Sequence, residues 1–145
     1  MDVVFDIDGT LANCAHRTEL ARAKQWDAFH EASIFDAVYP DTYKLMGILG
    51  THHNVLCLTG RPEKYRAITM NWLLANSLFP DEIIMRPDDD WTQDGELKVR
   101  LLSERYGSLE GALAEVAFIL EDRDRVVEAL RNAGFNVWQV RQGSY

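Results

Sequence analysis

The sequence holds only two cysteines, Cys14 and Cys57, in 145 residues. That is too few for a disulfide framework, and two reduced thiols in a cytoplasmic protein are expected. Its four prolines and nine glycines are scattered, and nowhere do Pro, Gly and Ser gather into a linker. There is no internal repeat and no low-complexity segment. No apolar run approaches the roughly 20 residues of a membrane-spanning helix. The first residues also lack the basic and apolar regions of a signal peptide. Positive charge is scarce: 15 Lys and Arg stand against 23 Asp and Glu, a formal net charge of −8. Such a chain lacks the general attraction for polyanions, so tracking along a long polynucleotide is not expected. A local phosphate site remains open to it. No Gly-x-x-x-x-Gly-Lys-Ser/Thr loop occurs, which excludes P-loop kinase chemistry from these residues. What is present, 47% hydrophobic and 26% charged, is ordinary globular composition. It reads as one domain over residues 1–145.

Strand and helix patterns alternate along the chain. Val3 to Ile7 is a short apolar run closed by Asp8-Gly9-Thr10, which predicts a buried strand and a polar turn. Thr18 to Ala32 has helical spacing, and Asp41 could cap a second helix carrying Tyr43, Leu45, Met46 and Leu49. Further strands are predicted over Asn54 to Leu58, Glu82 to Met85, Val116 to Leu120 and Phe135 to Val140. Helices are predicted over Glu63 to Asn76, over Gly95 to Tyr106, and from a cap at Asp124 to a stop at Gly134. This alternation predicts an α/β fold, a Rossmann-like three-layer sandwich around a five-stranded parallel sheet. Little length is left for a cap domain, so the site should be open.

Ligands of such sheets bind beyond the carboxyl ends of the strands. Three predicted strands end in polar groups there: Asp6 and Asp8, Thr59 and Arg61, Glu121 and Asp122. Asp6 and Asp8 stand at alternate positions, so they leave the strand on one face unless the turn re-aims the second. One carboxylate can then act as a nucleophile while the other works as acid and base. A hard cation such as Mg²⁺ with oxygen ligands suits an Asp-rich site, and Asp122 is a candidate ligand from another strand.

Val4-Phe5-Asp6-Ile7-Asp8-Gly9-Thr10-Leu11 resembles the first motif of the haloacid dehalogenase superfamily of phosphohydrolases. Leu58-Thr59-Gly60, Lys98 and Leu120-Glu121-Asp122 match the other three motifs in order. The chain is most similar to the 3′-phosphatase domains of phage polynucleotide kinase-phosphatases. Arg17, Arg61, the Asp94 and Lys98 pair, and the stretch from Glu121-Asp122-Arg123 through Trp138-Gln139-Val140 to Gly143 and Tyr145 carry that likeness. Glu121 departs from it, standing where that family has Asp.

The resemblance implies roles. Asp6 attacks phosphorus, and Asp8 gives and takes the proton. Mg²⁺ is held by Asp6, Asp122 and the backbone carbonyl of Asp8. Lys98 offsets charge, while Thr59, Gly60, Arg61 and Arg17 bind the phosphate. Asp94 and Glu121 support, with Asp94 orienting Lys98. The implied substrate is a 3′-phosphate on a nucleotide or nucleic-acid end, and a separate kinase or ligase chain is a possible partner. The alternatives are a 5′-nucleotidase or small-metabolite phosphatase, and a non-catalytic phosphate-binding subunit. His52-His53 and Asp88-Asp89-Asp90 read as surface turns. Trp72 and Trp138 read as core, whereas Trp91 lies in a loop near Lys98.

Overall fold

The computed structural model describes residues 1–145. Five strands form one parallel sheet: β1 (Asp2–Phe5), β4 (Asn54–Pro62), β5 (Glu82–Arg86), β6 (Val116–Arg123) and β7 (Val137–Gly143). Their spatial order is β5-β4-β1-β6-β7. The chain builds outward from β1 to β4 and β5 on one side, then crosses to lay β6 and β7 on the other. The carboxyl end of β1 is therefore the switch point of the sheet, where neighbouring connections diverge and leave a crevice.

Alternating side chains divide the core. Val4, Leu56, Leu58, Ile119 and Val137 face α5 (Asp94–Arg105), α6 (Leu109–Glu115) and α7 (Asp124–Asn132). Val3, Phe5, Val55, Cys57 and Leu120 face the other way, against Met46 of α3 (Pro40–Leu49) and Trp72 and Leu73 of α4 (Arg66–Ala75). Helices on both faces make the three layers. Each fully buried Leu or Phe contributes about 1.5–3 kcal/mol, so a two-sided core can offset the cost of burying charge at its upper edge. No helix is long and apolar enough to cross a membrane.

The segment between β1 and β4 is a small flap. It contains a two-stranded antiparallel ribbon, β2 (Ala12–Asn13) and β3 (Ala37–Val38), and the short helices α1 (Thr18–Arg22) and α2 (Trp26–Glu31). No cap domain stands over the sheet.

Several local expectations are corrected. The single helix over Thr18 to Ala32 is broken, because Lys24 takes a positive φ of 55° between α1 and α2. Asp41 is not the cap of α3; Tyr39 is, with Pro40 in the first turn. Arg123, not Asp124, precedes α7, and the Asp124 carboxylate accepts from Gln139 instead. Helix α6 and the β2–β3 ribbon were not expected. Trp72 is buried, but Trp138 is 52% exposed and stacks on Phe118 with ring centroids 4.1 Å apart. Val137 faces α7, so strand alternation turns Trp138 to the opposite side of an edge strand.

Candidate active site

Asp6 follows β1 directly, and its backbone N–H donates to Leu120 O of β6 at 3.0 Å. That bond fixes the carboxylate beside the end of β6. Gly9 then turns the chain with φ +87°. A Cβ there would lie 2.1 Å from Asp122 Oδ2, so both the turn and the close approach require glycine. Asp6 and Asp8 enter two separate networks.

The first network is anionic with one cation. Lys98 of α5 donates to Asp6 Oδ1 at 2.7 Å and to Glu121 Oε2 at 2.6 Å. Thr10 Oγ1 donates to Asp6 Oδ2 at 3.3 Å. Glu121 Oε1 accepts the backbone N–H groups of Asp122 and Arg123 at 3.0 and 3.1 Å. Asp6, Glu121 and Asp122 are all buried, and each offers an oxygen within 4.8 Å of the others. Burial and the Glu121 carboxylate push the Asp6 carboxyl up against the pull of Lys98. Burial disfavours the Lys98 ammonium, but Asp6 and Glu121 outweigh it and keep lysine charged. Asp122 Oδ1 is buried with no hydrogen-bond partner. An orphaned carboxylate oxygen beside two further buried carboxylates fits a hard divalent cation. Glu121 belongs to the cluster, whereas the Asp8 carboxylate is engaged elsewhere, leaving that residue its backbone carbonyl.

The second network is a clamp on Asp8. Arg61 donates through Nε to Oδ2 at 3.0 Å and through Nη2 to Oδ1 at 2.6 Å. Arg17 Nη2 also donates to Oδ1. Burial opposes ionisation of Asp8, but the two guanidiniums prevail and hold its carboxyl well below the usual carboxylate range. Both arginines are only 1% exposed. Arg61 is steadied by Thr69 Oγ1 at 3.1 Å, and its own N–H donates to Thr59 Oγ1 at 3.2 Å. Arg17 is gripped by Asp36, Nε to Oδ1 at 2.9 Å and Nη2 to Oδ2 at 2.7 Å, and donates to Phe29 O at 3.2 Å. A strand-end arginine and a flap arginine thus converge on one carboxylate.

Thr59 and Gly60 lie at the irregular end of β4, where the ladder to β5 shifts register between Thr59 and Pro62. The Gly60 carbonyl accepts from Arg86 Nε at 2.8 Å. Asp94 does not pair with Lys98 as its spacing suggests. Its carboxylate instead takes Arg86 Nη2 and, at 2.6 Å, Arg123 Nη1. Lys98 reaches inward to Asp6 from the next turn of α5. Trp91 is 81% exposed beyond this edge.

Sequence reasoning passed over Asp36, Arg86 and Arg123. Asp36 carried no signal, since it lies 19 residues from Arg17 and belongs to no motif. Arg123 lies within the stretch that carries the family likeness, but its type and position alone point to no role. Tyr145, from the same stretch, donates its hydroxyl to Asp122 Oδ2.

Residues 1–145 match the family model described as polynucleotide kinase PNKP phosphatase domain. Among solved structures, a chain of the Pnkp1/Rnl/Hen1 RNA repair complex superposes with a TM-score of 0.83 and 24% identity. The match covers 99% of this chain and 43% of that one. A second Pnkp1/Rnl/Hen1 complex gives 0.80 and 24%, over 99% and 47%. A haloacid dehalogenase-like hydrolase from Streptococcus pneumoniae gives 0.70 and 12%, over 95% and 83%. The chain therefore spans less than half the length of the first two relatives. At these identities the superpositions show a shared fold.

Proposed function

The chain belongs to the polynucleotide kinase PNKP phosphatase-domain family of haloacid dehalogenase phosphatases, and from that premise we propose that it removes a 3′-phosphate from a nucleotide or nucleic-acid end. The observation that carries this reading is the division of labour at the end of β1. Asp6 sits with Lys98 in a buried carboxylate cluster, and Asp8, two residues on, sits between two buried arginines.

Asp6 is the nucleophile. Its carboxylate oxygen bonds to phosphorus as the bond to the leaving oxygen breaks. Asp8 delivers a proton to that oxygen, which would otherwise depart as an alkoxide. Asp8 then takes a proton from the water that hydrolyses the aspartyl-phosphate. Arg17 and Arg61 present planar forks suited to phosphate oxygens. A phosphate arriving between them competes with Asp8 for their N–H groups, which loosens the hold on Asp8 and lets it carry a proton. Lys98 keeps Asp6 oriented and lowers its repulsion from the phosphate. Thr59 and the Gly60 N–H complete the phosphate cradle, and Asp94 braces that wall through Arg86 and Arg123. Glu121 fixes Lys98 by accepting a second hydrogen bond from its ammonium. Mg²⁺, held by Asp6, Asp122 and the Asp8 carbonyl, would neutralise phosphate charge when bound. The absence of a cap suits a terminal phosphate on a larger molecule. Two unpaired cysteines suit a reducing cytoplasm, and a kinase or ligase would act from a separate chain or domain.

Phosphate release from 3′- and 5′-mononucleotides and from 3′-phosphorylated oligonucleotides, with Mg²⁺ and with chelator, tests this reading. Preference for the 3′-phosphate, loss on chelation and loss in Asp6→Asn to the uncatalysed background are expected. A clear preference for 5′-nucleotides would overturn the 3′ assignment in favour of a 5′-nucleotidase.

A further inference from the structure

β7 ends at Gly143, which pairs with Arg123 where the β6–β7 ladder shifts register. The chain that follows passes directly over Asp122. A Cβ on Gly143 would stand 2.8 Å from Asp122 O and 2.9 Å from Asp122 Oδ2, so only glycine allows this approach. Two residues later the Tyr145 hydroxyl donates to Asp122 Oδ2. The ring is held from its face by the Arg123 guanidinium, 4.9 Å from the centroid. Gly9 closes the third side, its absent Cβ leaving room for both Asp122 Oδ2 and the Tyr145 hydroxyl. Two chain segments, the turn at Gly9 and the tail from Gly143 to Tyr145, thus meet on one carboxylate oxygen, while its twin, Oδ1, is buried without a partner.

We propose that Tyr145 is a positioning residue for the cation site: by occupying Asp122 Oδ2 it leaves Oδ1 as the one oxygen Asp122 can offer, enforcing monodentate coordination. This rests on the reading of Asp122 as a cation ligand. Monodentate carboxylates suit the small octahedral Mg²⁺, whereas Ca²⁺ takes more oxygens and readily accepts both from one carboxylate. The hydroxyl therefore tunes affinity by orienting a ligand, and tunes selectivity by denying its second oxygen. Partners that orient a ligating side chain in this way typically govern metal affinity by about 10–100-fold.

The test is Mg²⁺ and Ca²⁺ binding to the substrate-free 145-residue chain by titration calorimetry, in wild type, Tyr145→Phe and Asp122→Asn. The phenylalanine keeps the ring on Arg123 and removes only the hydroxyl. Tyr145→Phe is expected to weaken Mg²⁺ binding about tenfold while Ca²⁺ binding does not fall, so that discrimination between the ions collapses. Equal losses for both ions, or binding within twofold of wild type for both, would overturn the proposal. Asp122→Asn keeps the two readings apart. If it leaves Mg²⁺ binding intact, the cation site itself is misassigned; if it abolishes binding while Tyr145→Phe changes nothing, only the role of Tyr145 fails.

Discussion

Asp36 shows what a single buried residue can decide. It receives Arg17 through two N–H groups and His16 through a third, and its Oδ2 lies 3.6 Å from Arg61 Nη2. It is buried with Arg17, so the pair has no water to fall back on. Removing one partner of a buried ion pair leaves the other charge uncompensated, at a cost of about 3–5 kcal/mol. Asp36→Ala is expected to lower the denaturant midpoint strongly. It should also cut the specificity constant for a 3′-phosphate, because Arg17 loses the brace that aims it at Asp8. Chemical unfolding and steady-state kinetics on the same variant check both parts. The motif residues Asp6, Asp8, Thr59, Gly60, Glu121 and Asp122 were legible because each motif is contiguous at a strand end. Asp36 was not, because the contact that gives it meaning is made by folding across the flap.

At the scale of elements, helix α6 illustrates why local pattern can fail. Gly111 weakens the helical pattern there, and the segment is only seven residues long. What starts it is a cap: the Ser108 side chain accepts the Gly111 N–H at 2.9 Å. The rest comes from packing, since Ala112 is fully buried against the core that α5 and α7 share. Ser108→Ala should therefore cost about 1 kcal/mol, read as a lower melting temperature, and leave phosphatase activity unchanged. The helices that carry site residues were read more accurately. Leu97, Leu101 and Leu102 recur at helical spacing on α5, and burying them rotates Lys98 towards Asp6. Asp94 is one turn earlier on that helix, where the ends of β5 and β6 supply Arg86 and Arg123 as partners nearer than Lys98.

For the whole molecule, charge and openness set the substrate range. A net charge of −8 repels a polyanion, and Lys98, Arg17 and Arg61 at the proposed phosphate site are each already paired with carboxylates. Extending a 3′-phosphorylated oligonucleotide beyond the first few nucleotides should therefore not lower KM at low salt. Rising ionic strength should help long substrates relative to short ones, by screening repulsion. KM measured against oligonucleotide length at two salt concentrations checks this.

By itself, the sequence determined that alternating apolar runs make a parallel α/β sheet with carboxylates at its carboxyl edge. Those features follow from periodicity and from residues adjacent in the chain. Only the tertiary structure decided which carboxylate keeps which company. Asp6 meets Lys98, Asp8 meets two arginines, and Tyr145 arrives at Asp122 from beyond the end of β7. A charge buried at a sheet edge is defined by its neighbours in space, and chain connectivity does not specify those neighbours until the sheet has been assembled.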